Sequence, residues 1–202
     1  AGDDFNRKQN FTQPRSITID TRYDGAVSIA PHTGYAVQVV SKTGDRKVVV
    51  GPATYLLEYD ETLQAMDLSS GTPKTDDKLQ RTVYLRVLYN KVSDIVEAET
   101  ADLVTIRIRL SYRVNFEGDP NLWFNVENYV KFLTEHLRSL IRAAVKTYRV
   151  QDLHPRAVPV VRDVVLGQSV EGSKRPGRLF AENGMRVYDV EVLDVEIGDA
   201  DI

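Results

Sequence analysis

The stretch from Leu103 to Phe116 constrains this chain more than any other. Val104, Ile106, Ile108, Leu110, Tyr112, Val114 and Phe116 take alternate positions, and Thr105, Arg107, Arg109, Ser111, Arg113 and Asn115 fall between them. Period two over this length predicts a long strand with one face buried and one wet. At about 3.3 Å per residue it reaches roughly 40 Å, long enough to extend beyond one small core. Its wet face carries three arginines, Arg107, Arg109 and Arg113.

The pattern changes on either side of that strand. Residues 1–15 are polar and are expected to be mobile. From Arg15 to Leu68, short apolar runs rich in strand formers alternate with turn signals such as Pro31-His32-Thr33-Gly34, Lys42-Thr43-Gly44-Asp45 and Gly51-Pro52. No 3.6-residue period appears there, so residues 16–76 read as a small antiparallel β module. Strands this short bury little by themselves, and such a module leans on a neighbour. Ser69 to Lys74 reads as a linker. Residues 77–202 then read as a second domain, an α+β sheet with helices on one side. Leu79–Leu88 and Val92–Thr100 are expected strands, and Asn121–Asn128 an expected short helix presenting Trp123. Tyr129, Phe132, Leu133, Leu137, Leu140, Ile141, Ala144, Val145 and Tyr148 recur at helical spacing and predict an amphipathic helix of about five turns. Asp152 is placed to cap a following helix, with Pro155 and Pro159 near its first turn and Gly167 at its end. A helical turn is expected around Leu179-Phe180-Ala181, a left-handed stop at Asn183-Gly184, and a closing strand from Met185 to Ile197.

Charge is unevenly spread. The chain has 26 Lys plus Arg and 29 Asp plus Glu, for a net charge of −3, which disfavours a general nucleic-acid binder. Residues 128–162, however, hold seven basic and two acidic side chains, whereas residues 163–202 hold four basic and nine acidic ones. Such asymmetry suits an anionic partner, or one copy's basic face meeting the next copy's acidic face. Lys131, Arg138, Arg142 and Arg149 lie opposite the apolar stripe of the long helix and form the candidate inter-subunit face.

Little chemistry is available. There is no cysteine, which removes disulfides, thiolate metal sites and thiol catalysis and fits a reducing compartment. His32, His136 and His154 lie on different elements, and His136 beside an apolar stripe reads as a packing residue. None of the common hydrolase, nucleotide-binding or zinc motifs occurs. Asp189, Glu191, Asp194 and Glu196 read as a solvated strand face rather than an acid–base pair. Trp123, Phe124, Tyr129 and Phe132 read as packing rather than as a base-stacking platform. No run of 18 apolar residues and no signal peptide is present, and the chain lacks an initiator Met, which fits a processed chain or a piece of a longer one. We expect no catalysis, no cofactor and no metal.

Several strings are more specific than composition. Gly34-Tyr35-Ala36-Val37-Gln38-Val39-Val40, Val49-Val50-Gly51-Pro52-Ala53-Thr54-Tyr55-Leu56-Leu57-Glu58-Tyr59-Asp60-Glu61-Thr62-Leu63 and Leu68 to Lys74 resemble a repeat of the major vault protein family. Arg81 to Val87, Asn90 to Val96, Leu110 to Pro120, Trp123-Phe124 and Val126 to Leu133 resemble that repeat and the shoulder domain of the same family. More loosely, Leu137 to Arg142 and Asn183 to Val187 resemble the stomatin–prohibitin–flotillin (band 7) superfamily. The resemblance implies a curved sheet packed on helices, and lateral association of identical copies. It further implies a structural, non-catalytic part of a hollow cytoplasmic ribonucleoprotein shell, with other shell components as further partners. It implies no RNA contact by residues of this chain. The alternative is a membrane-associated band 7 scaffold, for which no anchor is visible here. On the shell reading, reversing Arg138 and Arg142 to Glu is expected to weaken lateral association.

Overall fold

The computed structural model describes residues 27–169 and 174–198. The expected mobile segment 1–15 and the alternating run Arg15–Ile19 lie outside them. Among the described residues the first part holds eight short strands: β1 (Ser28–Ile29), β2 (Tyr35–Ser41), β3 (Arg46–Val50), β4 (Tyr55–Leu56), β5 (Glu61–Leu63), β6 (Met66–Ser69), β7 (Leu79–Thr82) and β8 (Leu85–Arg86). β2 is the organising strand, and it pairs antiparallel with β3, β5 and β8. The Lys42–Asp45 loop turns the chain between β2 and β3, with Gly44 at φ +92°, a backbone that glycine enters without steric cost. Ile29, Val37, Val39 and Val49 form a small core of their own.

The second part is built around the strand anticipated above. It comprises β9 (Asn90–Glu99), β10 (Thr105–Phe116), helices α1 (Tyr129–Val145), α2 (Val150–Leu153) and α3 (Ala157–Leu166), then β11 (Arg178–Phe180) and β12 (Met185–Ile197). Its sheet is antiparallel, in the order β11-β12-β10-β9. Ile106, Ile108, Leu110, Tyr112, Val114 and Phe116 are buried under α1 and α3, so the period-two reading of β10 holds along its length. Asn128 caps α1 by accepting from the Lys131 amide at 3.2 Å. Val130, Leu133, Thr134, Leu137, Ile141 and Val145 form its buried stripe. β12 is bulged twice against β10, passing over Tyr188 and Leu193, and each bulge leaves one unpaired residue and adds twist.

Several local expectations fail for identifiable reasons. Ser69–Lys74 does not link two separate units: Ser69 ends β6, and the rest opens the 70–78 connection back to β7, its antiparallel partner. Leu79–Leu88 is not one strand. It breaks at Val83–Tyr84, where the Thr82 hydroxyl accepts the Tyr84 amide at 3.2 Å, and β7 and β8 then join different partners. Asn121–Asn128 forms only a 3-10 turn at Pro120–Leu122, because a short segment rich in Asn does not sustain an α-helix. Trp123 is buried there, donating Nε1–H to the Glu117 carbonyl at 2.9 Å. Leu179 and Phe180 lie in a strand and Ala181 in the turn after it, rather than in a helix, because Arg178–Phe180 can pair with Met185–Val187 across a tight turn. Asp152 does not cap a helix: the α2 amide of Val150 donates instead to Asp102 Oδ1 at 3.0 Å.

The two parts share one core. Ala36, Met66, Leu68, Leu85 and Val87 from the first part pack in the same apolar cluster as β9, β10 and α1. The β module does lean on its neighbour, as its short strands require.

Gly184 illustrates how tightly the turn before β12 is fitted. Its φ is +74°, and a Cβ there would lie 2.4 Å from the Glu117 carbonyl oxygen. Gly184→Ala is expected to lower stability by more than the ~1–2 kcal/mol of a left-handed alanine alone, read as a reduced midpoint in urea unfolding.

Candidate functional site

Asp94 stands where alternation demands an apolar residue. Val92, Val96 and Ala98 flank it on the inward face of β9, and its side chain is fully buried. Burial of an unpaired carboxylate is costly, so it needs charged and hydrogen-bonded partners. Arg138 of α1 supplies them with a two-pronged contact, Nε to Oδ2 at 2.7 Å and Nη2 to Oδ1 at 2.8 Å. The Lys74 amide adds a third bond to Oδ1 at 3.0 Å, and Arg138 Nη2 returns to the Lys74 carbonyl at 2.7 Å. Donating these hydrogen bonds to Asp94 raises the Arg138 pKa. Burial lowers that of the Lys74 ammonium, against the pull of Asp94. The buried Tyr112 hydroxyl beside this pair is pushed far above its usual value, by desolvation first and by Asp94 second.

This cluster fastens the β6–β7 hairpin to the sheet and to α1. Two further contacts lie on the same seam. Asn128 Oδ1 accepts the Ser69 amide at 3.1 Å while its Nδ2 donates to the Ser69 hydroxyl at 3.0 Å. Lys131 Nζ pairs with Asp76 at 2.7 Å, and that bond raises the lysine's pKa.

The four basic residues named from the sequence therefore divide. Lys131 and Arg138 are engaged within the chain, on the hairpin. Arg142 is exposed and donates Nε to the Glu97 carbonyl of β9 at 2.9 Å, and Arg149 is exposed beyond the end of α1. Lys146, which the sequence reading did not single out, joins Arg142 on one wall of a shallow groove of about 320 Å³, with Glu97, Ala98, Glu99 and Thr105 also lining it. Asp94 was missed as well. Its signal was a carboxylate interrupting an inward apolar register.

The open face of the sheet carries cross-strand ion pairs: Arg107 with Glu97 at 3.4 Å and Arg113 with Glu191 at 3.2 Å. At its margin Asp189 meets Arg162 of α3 at 2.9 Å. Arg109, Asp194 and Glu196 make no ion pair among the described residues. His136 packs edge-on to Phe180 at 5.3 Å, and His154 lies apart in a 3-10 turn. Among the described residues no three His, Asp or Glu side chains converge on a metal-sized site.

Comparison with known proteins places this architecture. A shoulder-domain family model matches residues 88–199, and a major vault protein repeat-domain model matches residues 29–86. The chain belongs to the major vault protein family. It is 33% identical over 172 residues to the major vault protein of Gallus gallus and 32% identical over 174 residues to that of Diplobatis ommata. Major vault protein beta of Dictyostelium discoideum is 29% identical over 170 residues. Each alignment covers 82% of this chain and 20% of the relative, so the chain spans about a fifth of the length of the curated vault proteins it matches. The two family models meet at residues 86–88, where Leu85 and Val87 belong to the shared core.

Removing either partner of the Asp94–Arg138 pair leaves the other buried and uncompensated. Asp94→Ala and Arg138→Ala are each expected to cost about 3–5 kcal/mol. Chemical denaturation would measure this, and the double variant should lose less than the two single losses together.

Proposed function

We propose that this chain is a structural, non-catalytic wall segment of a self-assembling hollow shell, a cytoplasmic ribonucleoprotein particle of the vault type. One β repeat and the shoulder act as a single stiff unit whose partners are copies of itself and, in the whole particle, other shell components. The observation that carries this reading is the continuous core and clamped seam between the two family-matched modules. A unit braced in this way transmits load along a wall instead of flexing at its joint.

Side-by-side contacts complete the reading. The β9–α1 edge presents Arg142, Lys146 and Arg149, and the β12 strand on the far side of β10 carries Asp194 and Glu196, which make no ion pair among the described residues. Surfaces of opposite sign on opposite edges suit a head-to-tail contact that closes into a ring. Lys131 and Arg138 serve that face indirectly, by holding α1 to the hairpin. A reversal at Arg138 would therefore test folding, not association.

Light scattering of the chain over a concentration series, at low and high salt, tests the reading. Growth in mass that salt suppresses is expected, since exposed charges are screened within about 10 Å at 0.1 M. Arg142→Glu with Arg149→Glu should abolish that growth while leaving the unfolding midpoint close to the parent's. A chain that stays monomeric at every concentration would overturn the lateral contact.

A further inference from the structure

Asn183 is followed by glycine, and this is the one Asn-Gly step in the chain. Asparagine is a thermolabile side chain. Its weakest setting is before glycine, whose amide nitrogen has no side chain to shield it from the asparagine carbonyl carbon, Cγ. Here the pair sits in the turn between β11 and β12, and Asn183 is fully buried. Its Oδ1 accepts the Met185 amide at 3.3 Å, whereas its Nδ2 has no hydrogen-bond partner among the described residues. A buried amide left without a partner is costly and uncommon, and no ion pair or apolar contact described above depends on this one.

The closed turn withholds the reaction by holding the nucleophile. The Gly184 amide donates to the Phe180 carbonyl at 2.9 Å, and the Gly184 carbonyl accepts the Glu117 amide at 2.8 Å. Asn125 Nδ2 donates to the Glu182 carbonyl at 3.4 Å, one residue before the labile step. The backbone on both sides of Asn183 is therefore tied down. Those bonds must break before the Gly184 nitrogen can swing onto Asn183 Cγ.

We infer that Asn183-Gly184 is a self-modification site, silent while the turn is closed and reactive when it opens. The Gly184 nitrogen gives up its proton and bonds to Asn183 Cγ, the Cγ–Nδ2 bond breaks, and ammonia leaves a cyclic succinimide. Water then adds at either ring carbonyl and breaks its bond to the ring nitrogen, giving aspartate or isoaspartate. Neither product fits the closed turn. Aspartate puts a charge at a fully buried position, which is costly without a partner, and the arginine nearest in sequence, Arg186, is already committed to Glu117 at 2.8 Å. Isoaspartate lengthens the main chain by a methylene just before Gly184, where a single added Cβ would already lie 2.4 Å from the Glu117 carbonyl oxygen. The change is one-way, and it removes from the native pool a chain that has opened long enough to react.

The test incubates the whole chain at neutral pH, folded and in urea, and follows it by mass spectrometry after trypsin digestion. Cuts after Arg178 and Arg186 release residues 179–186, which carry the labile step. In that fragment the mass gain of an amide turned carboxylate should grow roughly tenfold or more faster in urea, because in the folded chain the rate follows the small open population. In urea, Gly184→Ala should slow the gain whatever that variant's stability, since its methyl group shields the nitrogen. Returned from urea, the reacted chain should unfold at a lower urea concentration than unreacted chain carried through the same steps, and Asn183→Asp should show the same direction of change. Equal rates in the folded and unfolded chain, or a reacted chain that regains the parent's midpoint, would overturn the inference.

Discussion

A single buried carboxylate sets the frame of this molecule. Asp94 sits on the apolar side of β9 with its side chain fully excluded from water. It is held there by a guanidinium from α1 and an amide from the β6–β7 turn. Three elements far apart in sequence must arrive together for that charge to be tolerated. A hydrophobic core alone accepts many near-equivalent packings. A buried ion pair with directional bonds accepts far fewer, and here it fixes how the hairpin lies on the sheet. The apolar cluster then fills in around that arrangement, running unbroken from Met66 and Leu68 to Val165 and Val187.

Those parts of the sequence governed by strong periodicity were legible. β10 and α1 each repeat at their own period over ten residues or more, so each declares both its type and its buried face. Gly167 and Gly184 marked stops correctly because their positive φ follows from local chain reversal. What could not be read was decided by distant partners. Whether Leu79–Leu88 runs straight or breaks depends on β2 and β6, which compete for its two halves. Whether Arg178–Phe180 coils or extends depends on the free edge at the start of β12. The cap of α2 comes from Asp102, 48 residues away, and no window of sequence contains that pairing.

Charge counting picked out a basic stretch and an acidic closing stretch of the sequence, which fall on α1 and the residues after it and on β12. Spacing could not tell which basic side chains turn back into the molecule. Lys131 and Arg138 have reach and a nearby acid, and they fold inward onto Asp76 and Asp94. Arg142 stands further along α1 and Arg149 beyond its end, and both are exposed.

The outer face of the sheet has a geometric consequence of its own. Its central arginines are answered sideways, strand to strand, by Glu97 and Glu191, and Ser93 and Ser111 close the middle with a hydroxyl pair at 3.0 Å. Arg109, between those two pairs, makes no ion pair among the described residues and stands opposite Asp194 of β12. A one-residue slip of β9 against β10 would therefore part the Arg107–Glu97 and Ser93–Ser111 pairs at the same time as it turned the inward apolar side chains toward water.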